Sequence, residues 1–455
     1  MIFTKSKNFK QEYCCSIIKI DNITPVENSD FLSVVNVNGL PIVVRKDQIN
    51  VGDIVFYAAN ETQLAQYFLS SNNLFENSSL NKDTTKKSYF NKAGRVRTIK
   101  LRGIQSFGFI FTYKELQTAY NLPDIDLTQL VGTDFDLVNN KLFIKAYVPD
   151  IIEKSSNPSN SKTSSKVSHK HEVDKLIPGE FHFHYDTNPL GKNLDRFKLN
   201  DVITVSTKLH GTSAIFACIK SNIPNKLSWY KRLINKFINV FPKSHVGYST
   251  IYSSRTVIKN RWTDQFGSDI WGEYAKLLNG KIPFGITIYG EIIGYLTGKS
   301  TYIQKGDDYG CKPGTNKLMI YRITQEDTDG HIKEFNVDEV YAWTLSFMGL
   351  HPELKERIQP INILYHGTVA DFTELTPSHH WKENFYKALS TDGGFYMEQN
   401  EPLCNNKVPR EGIVIRIDND PINEAFKLKC VKFLTRESKE IDKGNIDAEM
   451  QNTNY

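Results

Sequence analysis

Residues 202–213 read VITVSTKLHGTS. The first six residues have the β-branched composition of a strand, and Lys208 follows them directly, with Gly211 three residues later. A lysine at the end of a rigid strand, close to a glycine that lets backbone approach a ligand, is placed like a nucleophile. An ordinary lysine in a solvent-facing turn is the alternative that this short pattern leaves open.

Five further motifs follow in the sequence. In order they are Ser253-Ser254-Arg255, residues 286–292 (ITIYGEI), residues 318–323 (LMIYRI), residues 410–416 (REGIVIR) and residues 426–429 (FKLK). Each motif alone is ambiguous, because a Tyr-Gly-Glu or a Glu-Gly-Ile also occurs in a turn beside a strand. The ordered set resembles the motifs of the covalent nucleotidyltransferases, the superfamily of ATP-dependent DNA ligases, RNA ligases and messenger RNA capping enzymes.

The resemblance implies that the amine of Lys208 attacks the α-phosphorus of ATP and forms a lysyl-AMP phosphoramidate. An unperturbed lysine has a pKa of about 10.4, so populating the free amine near pH 7 requires about 4.6 kcal/mol. Lys427 and Lys429 are two residues apart on a predicted strand and therefore point the same way. We expect their charge to lower the pKa of Lys208 and to neutralise the α-phosphate oxygens.

The same resemblance assigns roles to other residues. It implies that Arg255 contacts the ribose or a phosphate, with a surface ion pair as the alternative, and that the peptide at Thr207 faces the adenine edge. Tyr321 would stack on adenine, unless it is a core tyrosine. Glu291 would accept a hydrogen bond from a ribose hydroxyl, and Glu411 with Glu291 would serve a divalent metal ion. Oxygen ligands beside phosphates favour Mg²⁺ or Mn²⁺.

His210 departs from the commonest superfamily pattern, which has Asp at this position. Some RNA ligases carry Lys-x-His-Gly-Thr, which residues 208–212 match. The histidine therefore favours an RNA ligase over a DNA ligase. We expect His210 to act in catalysis, through the metal or in the later steps.

The sequence predicts an α+β protein with an N-terminal OB-type β-barrel and a nucleotidyltransferase domain of antiparallel sheets with flanking helices. Residues 1–150 form the predicted barrel, in which Asn38-Gly39 supplies the positive φ angles of a tight hairpin. A Ser/Asn/Lys-rich linker spans residues 151–174, the adenylyltransferase domain spans 175–437, and a polar tail spans 438–455. Only 26 residues follow Lys429, too few for the downstream OB domain of DNA ligases and capping enzymes. The upstream position resembles a family of nick-sealing RNA ligases with an N-terminal OB-type domain.

A basic strand lies within the predicted barrel. Its cationic side chains are Arg95, Arg97, Lys100 and Arg102. Contact with RNA phosphates is one interpretation, because backbone charge supplies most sequence-independent affinity. A solvated edge that discourages strand pairing is the other.

Residues 226–243 carry apolar side chains at helical spacing, with lysines and an arginine between them. We rank three interpretations in this order: an extra helix packed beside the nucleotide site, an RNA-facing helix, and an interfacial membrane helix. Residues 263–278 also have helical character. No role is assigned to residues 340–407.

Composition narrows the function classes. The chain has 455 residues, and 56 basic against 51 acidic side chains give a net charge of +5, so a polyanion should meet a local groove rather than a uniformly basic surface. The sequence contains no apolar run of transmembrane length and no secretory signal, which predicts an intracellular protein of the cytoplasm or nucleus without membrane contact. Six scattered cysteines predict neither a disulfide scaffold nor structural zinc. We expect a monomer.

Together these features predict an ATP-dependent RNA ligase that uses ATP and Mg²⁺ or Mn²⁺. Its expected partner is RNA with 5′-phosphate and 3′-hydroxyl ends, in duplex nicks or RNA/DNA hybrids, as in RNA repair. A DNA ligase or a capping-type guanylyltransferase is the alternative within the enzymes. A non-catalytic nucleic-acid-binding protein with a ligase fold is the alternative outside them.

Overall fold

The structure is a computed structural model that describes residues 2–27, 29–149, 175–259, 270–418 and 424–444. Two compact units divide the chain: the first contains residues 1–150, 188–196 and 428–445, and the second contains residues 151–187, 197–427 and 446–455. The predicted linker at 151–174 lies outside the described residues, as do the last eleven residues of the predicted tail.

The first unit is built from short strands. These are β1 (Phe3–Thr4), β2 (Cys15–Lys19), β3 (Thr24–Pro25), β4 (Leu32–Val37), β5 (Leu40–Arg45), β6 (Ile54–Ala58), β7 (Thr62–Leu64), β8 (Arg95–Val96), β9 (Ile99–Leu101), β10 (Ile104–Ser106), β11 (Phe109–Phe111), β12 (Asp134–Phe135), β13 (Leu137–Val138), β14 (Lys141–Leu142), β15 (Ile144–Ala146) and β16 (Asn188–Pro189). Its helices are α1 (Gln66–Ser71), α2 (Tyr113–Tyr120) and, near the C-terminus, α7 (Val431–Asp442). The strand orders are β11-β6-β2-β12, β3-β4-β5, β1-β13-β14, β15-β7-β8 and β9-β10.

Local sequence explains the predicted hairpin of this unit. Asn38 and Gly39 have φ angles of 51° and 81°, and Val37 pairs with Leu40 across the turn. Two consecutive positive φ angles match the twist of the flanking strands. The hairpin predicted from the Asn-Gly pair is therefore present.

The second unit contains longer strands and most of the longer helices. The strands are β17 (Val202–Lys208), β18 (Thr212–Pro224), β19 (Ser244–Ser253), β20 (Ile258–Lys259), β21 (Ile286–Gly294), β22 (Asn316–Glu326), β23 (Ile332–Glu334), β24 (Ile358–Pro360), β25 (Ile363–Thr368), β26 (Gly412–Ile417) and β27 (Ala425–Lys429), of which the last two residues belong to the first unit. The helices are α3 (Trp229–Phe237), α4 (Ile270–Leu278), α5 (Val337–Leu350) and α6 (Trp381–Ser390).

Two antiparallel sheets of the second unit position the motifs. One has the order β27-β26-β17-β25, and the other has the order β20-β19-β18-β21-β22-β23, with β24 added in parallel beside β22. The segment 340–407, to which the sequence assigned no role, supplies β25, which pairs with the strand that ends in Lys208. Helices α4 and α5 bury Tyr274, Val340 and Phe347 against the second sheet. Burial of such a face supplies most of the stability of a domain of this kind.

Two differences from the sequence predictions lie near the C-terminus. Helix α7 continues to Asp442, so the tail predicted to begin at Ser438 is helical over its first five residues, and Ser438 is buried. Residues 428–445 group with the first unit, whereas the prediction placed residues up to 437 in the second domain. Helix α4 is present, although residues 263–269 of its predicted span lie outside the described residues.

A further difference from the sequence predictions lies in α3. A helix is present within residues 226–243, but it buries none of its residues. The first-ranked interpretation, a helix packed beside the nucleotide site, is therefore wrong. The apolar face that would have made the packing contact is exposed to solvent.

Candidate active site

Lys208 occupies the last position of β17. The alternation of the strand buries Ile203, Val205 and Thr207, and leaves Lys208 on the opposite, half-buried face. Across the sheet Lys208 pairs with Gly412, the first residue of β26. Glu411 directly precedes that strand, and the register of the two strands therefore brings its carboxylate next to the lysine.

The distance from Lys208 Nζ to Glu411 Oε1 is 2.6 Å. The Glu411 side chain is only 5% exposed, whereas that of Lys208 is 25% exposed and accessible to a ligand. The other carboxylate oxygen, Glu411 Oε2, is buried and has no hydrogen-bond partner among the described residues. A buried carboxylate oxygen without a partner is costly, so it indicates a position for a cation or an ordered water.

Gly211 joins the lysine strand to Glu291. Its N–H donates to Glu291 Oε1 at 3.1 Å, and its carbonyl oxygen accepts from Gln304 Nε2 at 2.8 Å. A Cβ atom at Gly211 would lie 2.3 Å from the carbonyl oxygen of Ile292 and 2.9 Å from Glu291 Cγ. The missing side chain therefore lets Gly211 lie against the backbone of β21 and hold one oxygen of Glu291, while its predicted approach to a ligand stays a prediction.

His210 is fixed from two sides. Its Nδ1 lies 3.1 Å from Asp307 Oδ2, and its backbone N–H donates to the hydroxyl of Tyr309 at 2.7 Å. Burial raises the pKa of Tyr309 well above its ordinary value, and the charges of Asp307 and Glu411 act in the same direction. Tyr309 is therefore a neutral phenol at physiological pH.

Asp307 and Tyr309 were missed by the sequence analysis. They lie 97 and 99 residues after His210, in a loop that matches none of the six motifs. Asp308, between them, accepts from the backbone N–H groups of Asn405 and Asn406 at 2.9 and 3.0 Å, which ties this loop to the segment leading to Glu411. No local sequence pattern indicates a pairing across such distances.

Tyr321 lies on β22 and packs against the buried cluster that contains Leu209 and Met319. The ring of His184 meets it edge-on, with 5.2 Å between the centroids. Burial, followed by the charges of Arg322 and Arg255, lowers the pKa of His184 from 6.5 to about 3. This histidine is therefore neutral at physiological pH, and its Nδ1 lies 3.4 Å from a guanidinium nitrogen of Arg322.

Two further residues that the sequence predicts to contact the nucleotide, Arg255 and Thr207, have partners within the chain. Arg255 forms a 2.8 Å ion pair with Asp186, which corresponds to the alternative interpretation of that motif. The N–H of Thr207 donates to the carbonyl of Asn362 at 3.1 Å, so this donor of the peptide is already engaged.

The two lysines of the last motif lie on β27. Lys427 is half-buried and belongs to the second unit. Lys429 belongs to the first unit and contacts both carboxylate oxygens of Glu437, at 3.0 and 3.2 Å. Their positions on alternate residues of one strand agree with the predicted common direction.

The basic residues of the first unit differ in exposure. Arg95 has only 3% of its side chain exposed, and it forms ion pairs of 2.7 Å with Glu61 and with Asp442. The guanidinium of Arg95 is thus buried between two carboxylates in this structure, and its contact with RNA phosphates stays a prediction. Lys100 and Arg102 are exposed on the hairpin of β9 and β10, where Arg102 adopts a φ of 47°.

Comparison with known proteins gives the family. A family model for RNA ligases matches residues 201–433, just over half of the chain. The chain belongs to the RNA ligase family. An OB-fold domain model matches residues 14–113 of this RNA ligase family member, and a comparison with curated protein sequences finds no match. The predicted family and the predicted fold class are confirmed.

Solved structures of an RNA ligase are similar to this chain. A Naegleria gruberi RNA ligase variant with ATP and Mn is 15% identical, covers 94% of this chain and 99% of its own, and has a TM-score of 0.50. A second variant of that ligase, with AMP and Mn, is 17% identical over 93% of this chain and 98% of its own, with a TM-score of 0.49. The Naegleria gruberi RNA ligase with PPi is 16% identical over 95% of this chain and 100% of its own, also with a TM-score of 0.49.

One further observation concerns membranes. Among the described residues, no helix combines the length and the apolar character needed to cross a bilayer.

Proposed function

We propose that this RNA ligase family member joins 3′-hydroxyl and 5′-phosphate ends of RNA, using ATP and a lysyl-AMP intermediate on Lys208. The substrates we infer are nicks in RNA duplexes or RNA/DNA hybrids. The observation that supports the proposal best is the 2.6 Å contact between Lys208 Nζ and Glu411 Oε1, residues of two different predicted motifs. The solved Naegleria ligase variant that shares the fold contains ATP and Mn, the same ligands that we propose here.

In the first step the lone pair of Lys208 Nζ attacks the α-phosphorus of ATP. A P–N bond forms, and the bond from the α-phosphorus to the bridging oxygen breaks, so that pyrophosphate leaves. Lys208 must lose a proton for its lone pair to become available, and Glu411 Oε1 lies within hydrogen-bond distance to accept it. Proton transfer to a positioned base contributes a factor of about 10² to 10⁴ to such a step.

The later steps return the lysine to its starting state. An oxygen of the 5′-phosphate end attacks the phosphorus of the lysyl-AMP, the P–N bond breaks, and Lys208 leaves as the amine. The 3′-hydroxyl then attacks the activated 5′-phosphorus, a phosphodiester bond forms, and AMP leaves. We propose that His210, held by Asp307 and Tyr309, orients the phosphates in these steps.

The carboxylates of the site fit a divalent metal ion. Glu411 Oε2 is buried without a partner among the described residues, and hard oxygen donors of this kind suit Mg²⁺ or Mn²⁺. We propose that Glu411 and Glu291 hold the ion or its waters. When bound, the ion would neutralise phosphate oxygens and favour the uncharged form of the neighbouring lysine.

We propose the remaining contacts from the predicted motifs. Lys427 and Lys429 would bind the α-phosphate oxygens, Arg255 would bind the ribose or a phosphate after release from Asp186, and Tyr321 would stack on adenine. The peptide at Thr207 would face the adenine edge. Residues 175–437 would carry the chemistry, and the N-terminal domain of residues 1–150 would bind RNA.

A self-adenylylation assay tests the first step. Wild-type protein incubated with α-labelled ATP and Mn²⁺ should acquire acid-stable label, and Lys208→Ala should acquire none. Lys299→Ala is the matched control, because Lys299 is an exposed lysine of the same unit. Absence of label on the wild type, or label on Lys208→Ala equal to that of the control, would contradict the proposal.

A competition assay tests the substrate. Nicked duplexes with RNA on the 3′-hydroxyl side should be sealed faster than identical duplexes with DNA there, and ATP should support the reaction where GTP does not. Preference for an all-DNA nick would instead indicate a DNA ligase. Transfer of GMP to a diphosphate RNA end would indicate a capping-type guanylyltransferase.

The RNA-binding role of the first unit has its own test. Each phosphate contact contributes to the slope of log affinity against log salt, by about 0.7 for a single strand and 0.9 for a duplex. For the double variant Arg97→Ala, Lys100→Ala, the slope of log RNA affinity against log salt concentration should therefore be shallower, by up to the contribution of two phosphate contacts. An unchanged slope would mean that these residues are only a solvated edge.

A further inference from the structure

The connection between β18 and β19 carries an unusual apolar surface. We call residues 226–243, which include α3, the tip segment, because they join the ends of these two paired strands. No residue of α3 is buried. The side chains of the tip segment with large exposed apolar surface are Trp229 (78%), Phe237 (82%), Ile238 (63%) and Val240 (60%), followed by Tyr230, Leu233 and Ile234.

The helix separates apolar from basic side chains. At 100° per residue, its apolar side chains fall within an arc of about 140°, and its polar side chains fall within an arc of similar width on the other side. The apolar arc contains Trp229, Tyr230, Leu233, Ile234 and Phe237, and the polar arc contains Lys231, Arg232, Asn235 and Lys236. Such a helix normally turns its apolar face towards the protein.

In this structure α3 makes its contacts through Lys231 and Asn235 of the polar arc, both to Phe241 of the same tip segment. Asn235 Nδ2 donates to the carbonyl of Phe241 at 2.6 Å, and Asn235 Oδ1 accepts from the N–H of Phe241 at 2.9 Å. Lys231 Nζ lies 5.1 Å from the centroid of the Phe241 ring. Asn225 Nδ2 donates to the carbonyl of Pro242 at 2.8 Å, which closes the base of the segment. These contacts hold α3 by its polar side and direct the apolar arc outward.

The charge of the tip segment has one sign. It contains Lys226, Lys231, Arg232, Lys236 and Lys243, and neither Asp nor Glu. A cationic helix with an apolar arc and an exposed tryptophan has the composition of a helix that lies in a membrane interface.

We propose that the tip segment binds the surface of an anionic lipid bilayer. The apolar arc enters the boundary between headgroups and acyl chains, and the lysine and arginine side chains extend to the lipid phosphates. This inference goes beyond the proposed ligase function and does not depend on it. It replaces the expectation from composition that the protein makes no membrane contact.

Two other occupants fit the surface less well. RNA would satisfy the charges and could stack on Trp229 and Phe237, but it offers no partner for the aliphatic side chains of Leu233, Ile234 and Ile238. A second copy of this chain could cover the aliphatic side chains, but it would bring two all-basic segments together. An anionic bilayer accommodates both the aliphatic and the basic side chains.

Vesicle flotation of the full-length protein tests the proposal. Wild-type protein should float with phosphatidylcholine vesicles that contain phosphatidylserine, and much less with phosphatidylcholine alone. The variant Lys231→Gln, Arg232→Gln, Lys236→Gln should bind the anionic vesicles roughly 100-fold more weakly, because each charge near the surface contributes about five-fold. The variant Leu233→Glu, Phe237→Glu should lose binding by at least about 100-fold, because it removes two large apolar side chains from the interface.

The matched control is Leu345→Glu, Leu350→Glu on α5, where both leucines are also exposed, at 54% and 77%. This variant should float like the wild type. Since none of the substituted residues is buried, all variants should keep the thermal unfolding midpoint of the wild type. The fluorescence of Trp229, obtained as the difference between the wild type and Trp229→Phe, should shift to shorter wavelength on addition of anionic vesicles.

Two results would overturn the proposal. One is the failure of wild-type protein to float with anionic vesicles, and the other is flotation of Leu233→Glu, Phe237→Glu at the level of the wild type. If vesicles do not bind and the same double variant loses affinity for nicked RNA, the tip segment is an RNA contact. If vesicles do not bind and the wild type sediments as a dimer that this variant dissociates, the segment is an interface between two copies.

Discussion

Replacing Gly211 with alanine tests whether the site depends on the close approach of two backbone segments. The added Cβ would lie 2.3 Å from the carbonyl oxygen of Ile292, about 1.1 Å closer than the 3.4 Å at which ordinary contact begins. The obstacle is backbone within a paired strand, so it cannot rotate away as a side chain could. We therefore expect the loop and β21 to separate by about 1 Å.

A separation of this size has two consequences. The hydrogen bond from the Gly211 N–H to Glu291 Oε1, now 3.1 Å, would lengthen to about 4 Å and be lost, at a cost of roughly 1.5 to 3 kcal/mol for a bond to a charged group. Misplacement of catalytic groups by about 1 Å lowers a rate by about 100-fold, or about 2.7 kcal/mol of activation free energy. Overpacking also lowers the free energy of unfolding by about 1 to 3 kcal/mol.

The assay is the rate of self-adenylylation at saturating ATP, with the thermal unfolding midpoint measured in parallel. We expect Gly211→Ala to be about 100-fold slower than the wild type at a temperature where both proteins are folded. Gly349→Ala is the control, because Gly349 lies in an exposed part of α5 and an added Cβ meets no atom within 4 Å. A rate for Gly211→Ala within about three-fold of the control would refute the reasoning.

Three other side chains support measurable expectations. Glu411→Gln should lower the self-adenylylation rate by at least about 100-fold at a temperature where both proteins are folded, and a loss below tenfold would argue against proton transfer to Glu411. Burial and nearby arginines lower the pKa of His184 to about 3, so below pH 6.5 this side chain takes up a proton only in the unfolded state. The wild type should therefore lose about 2 kcal/mol of stability between pH 6.5 and 5, and His184→Asn should not show this loss. Identical pH dependence of the two proteins in denaturant unfolding would contradict that assignment. Arg95→Met should lower the free energy of unfolding by about 3 to 5 kcal/mol, because it leaves the buried carboxylate of Glu61 unpaired, and a loss below 1 kcal/mol would show that water replaces the guanidinium.

The sequence predicted those parts of the site that local chemistry specifies. The strand before Lys208 follows from its β-branched residues. For Gly211 the sequence predicted approach to a ligand, whereas the structure shows its approach to the backbone of Ile292. The proximity of Lys208 and Glu411 agrees with their place in one ordered set of motifs, on which the resemblance to the covalent nucleotidyltransferases rests. Local patterns of this kind depend on a few neighbouring residues, so a single sequence contains them.

The sequence did not predict contacts between residues that are distant in the chain. Arg95 resembles Arg97 in type and spacing, yet it is buried because Glu61 and Asp442 neutralise it, and neither carboxylate lies near it in the sequence. The same reason explains why Asp307 was missed as the partner of His210. For α3 the periodicity predicted the helix correctly, but the orientation of its apolar face depends on hydrogen bonds to Phe241.

The pairing of Lys208 with Gly412 limits the insertions and deletions that this protein can tolerate. Lys208 and the carboxylate of Glu411 meet only because β17 and β26 align in one particular way, and sliding either strand by one residue would turn Lys208 to the opposite side of the sheet. An insertion or deletion of a single residue in either strand should therefore abolish activity, whereas longer insertions between the strands should be tolerated. Attachment of AMP would then report that these two strands have paired correctly, so the chain's own reaction could serve as a probe of its folding.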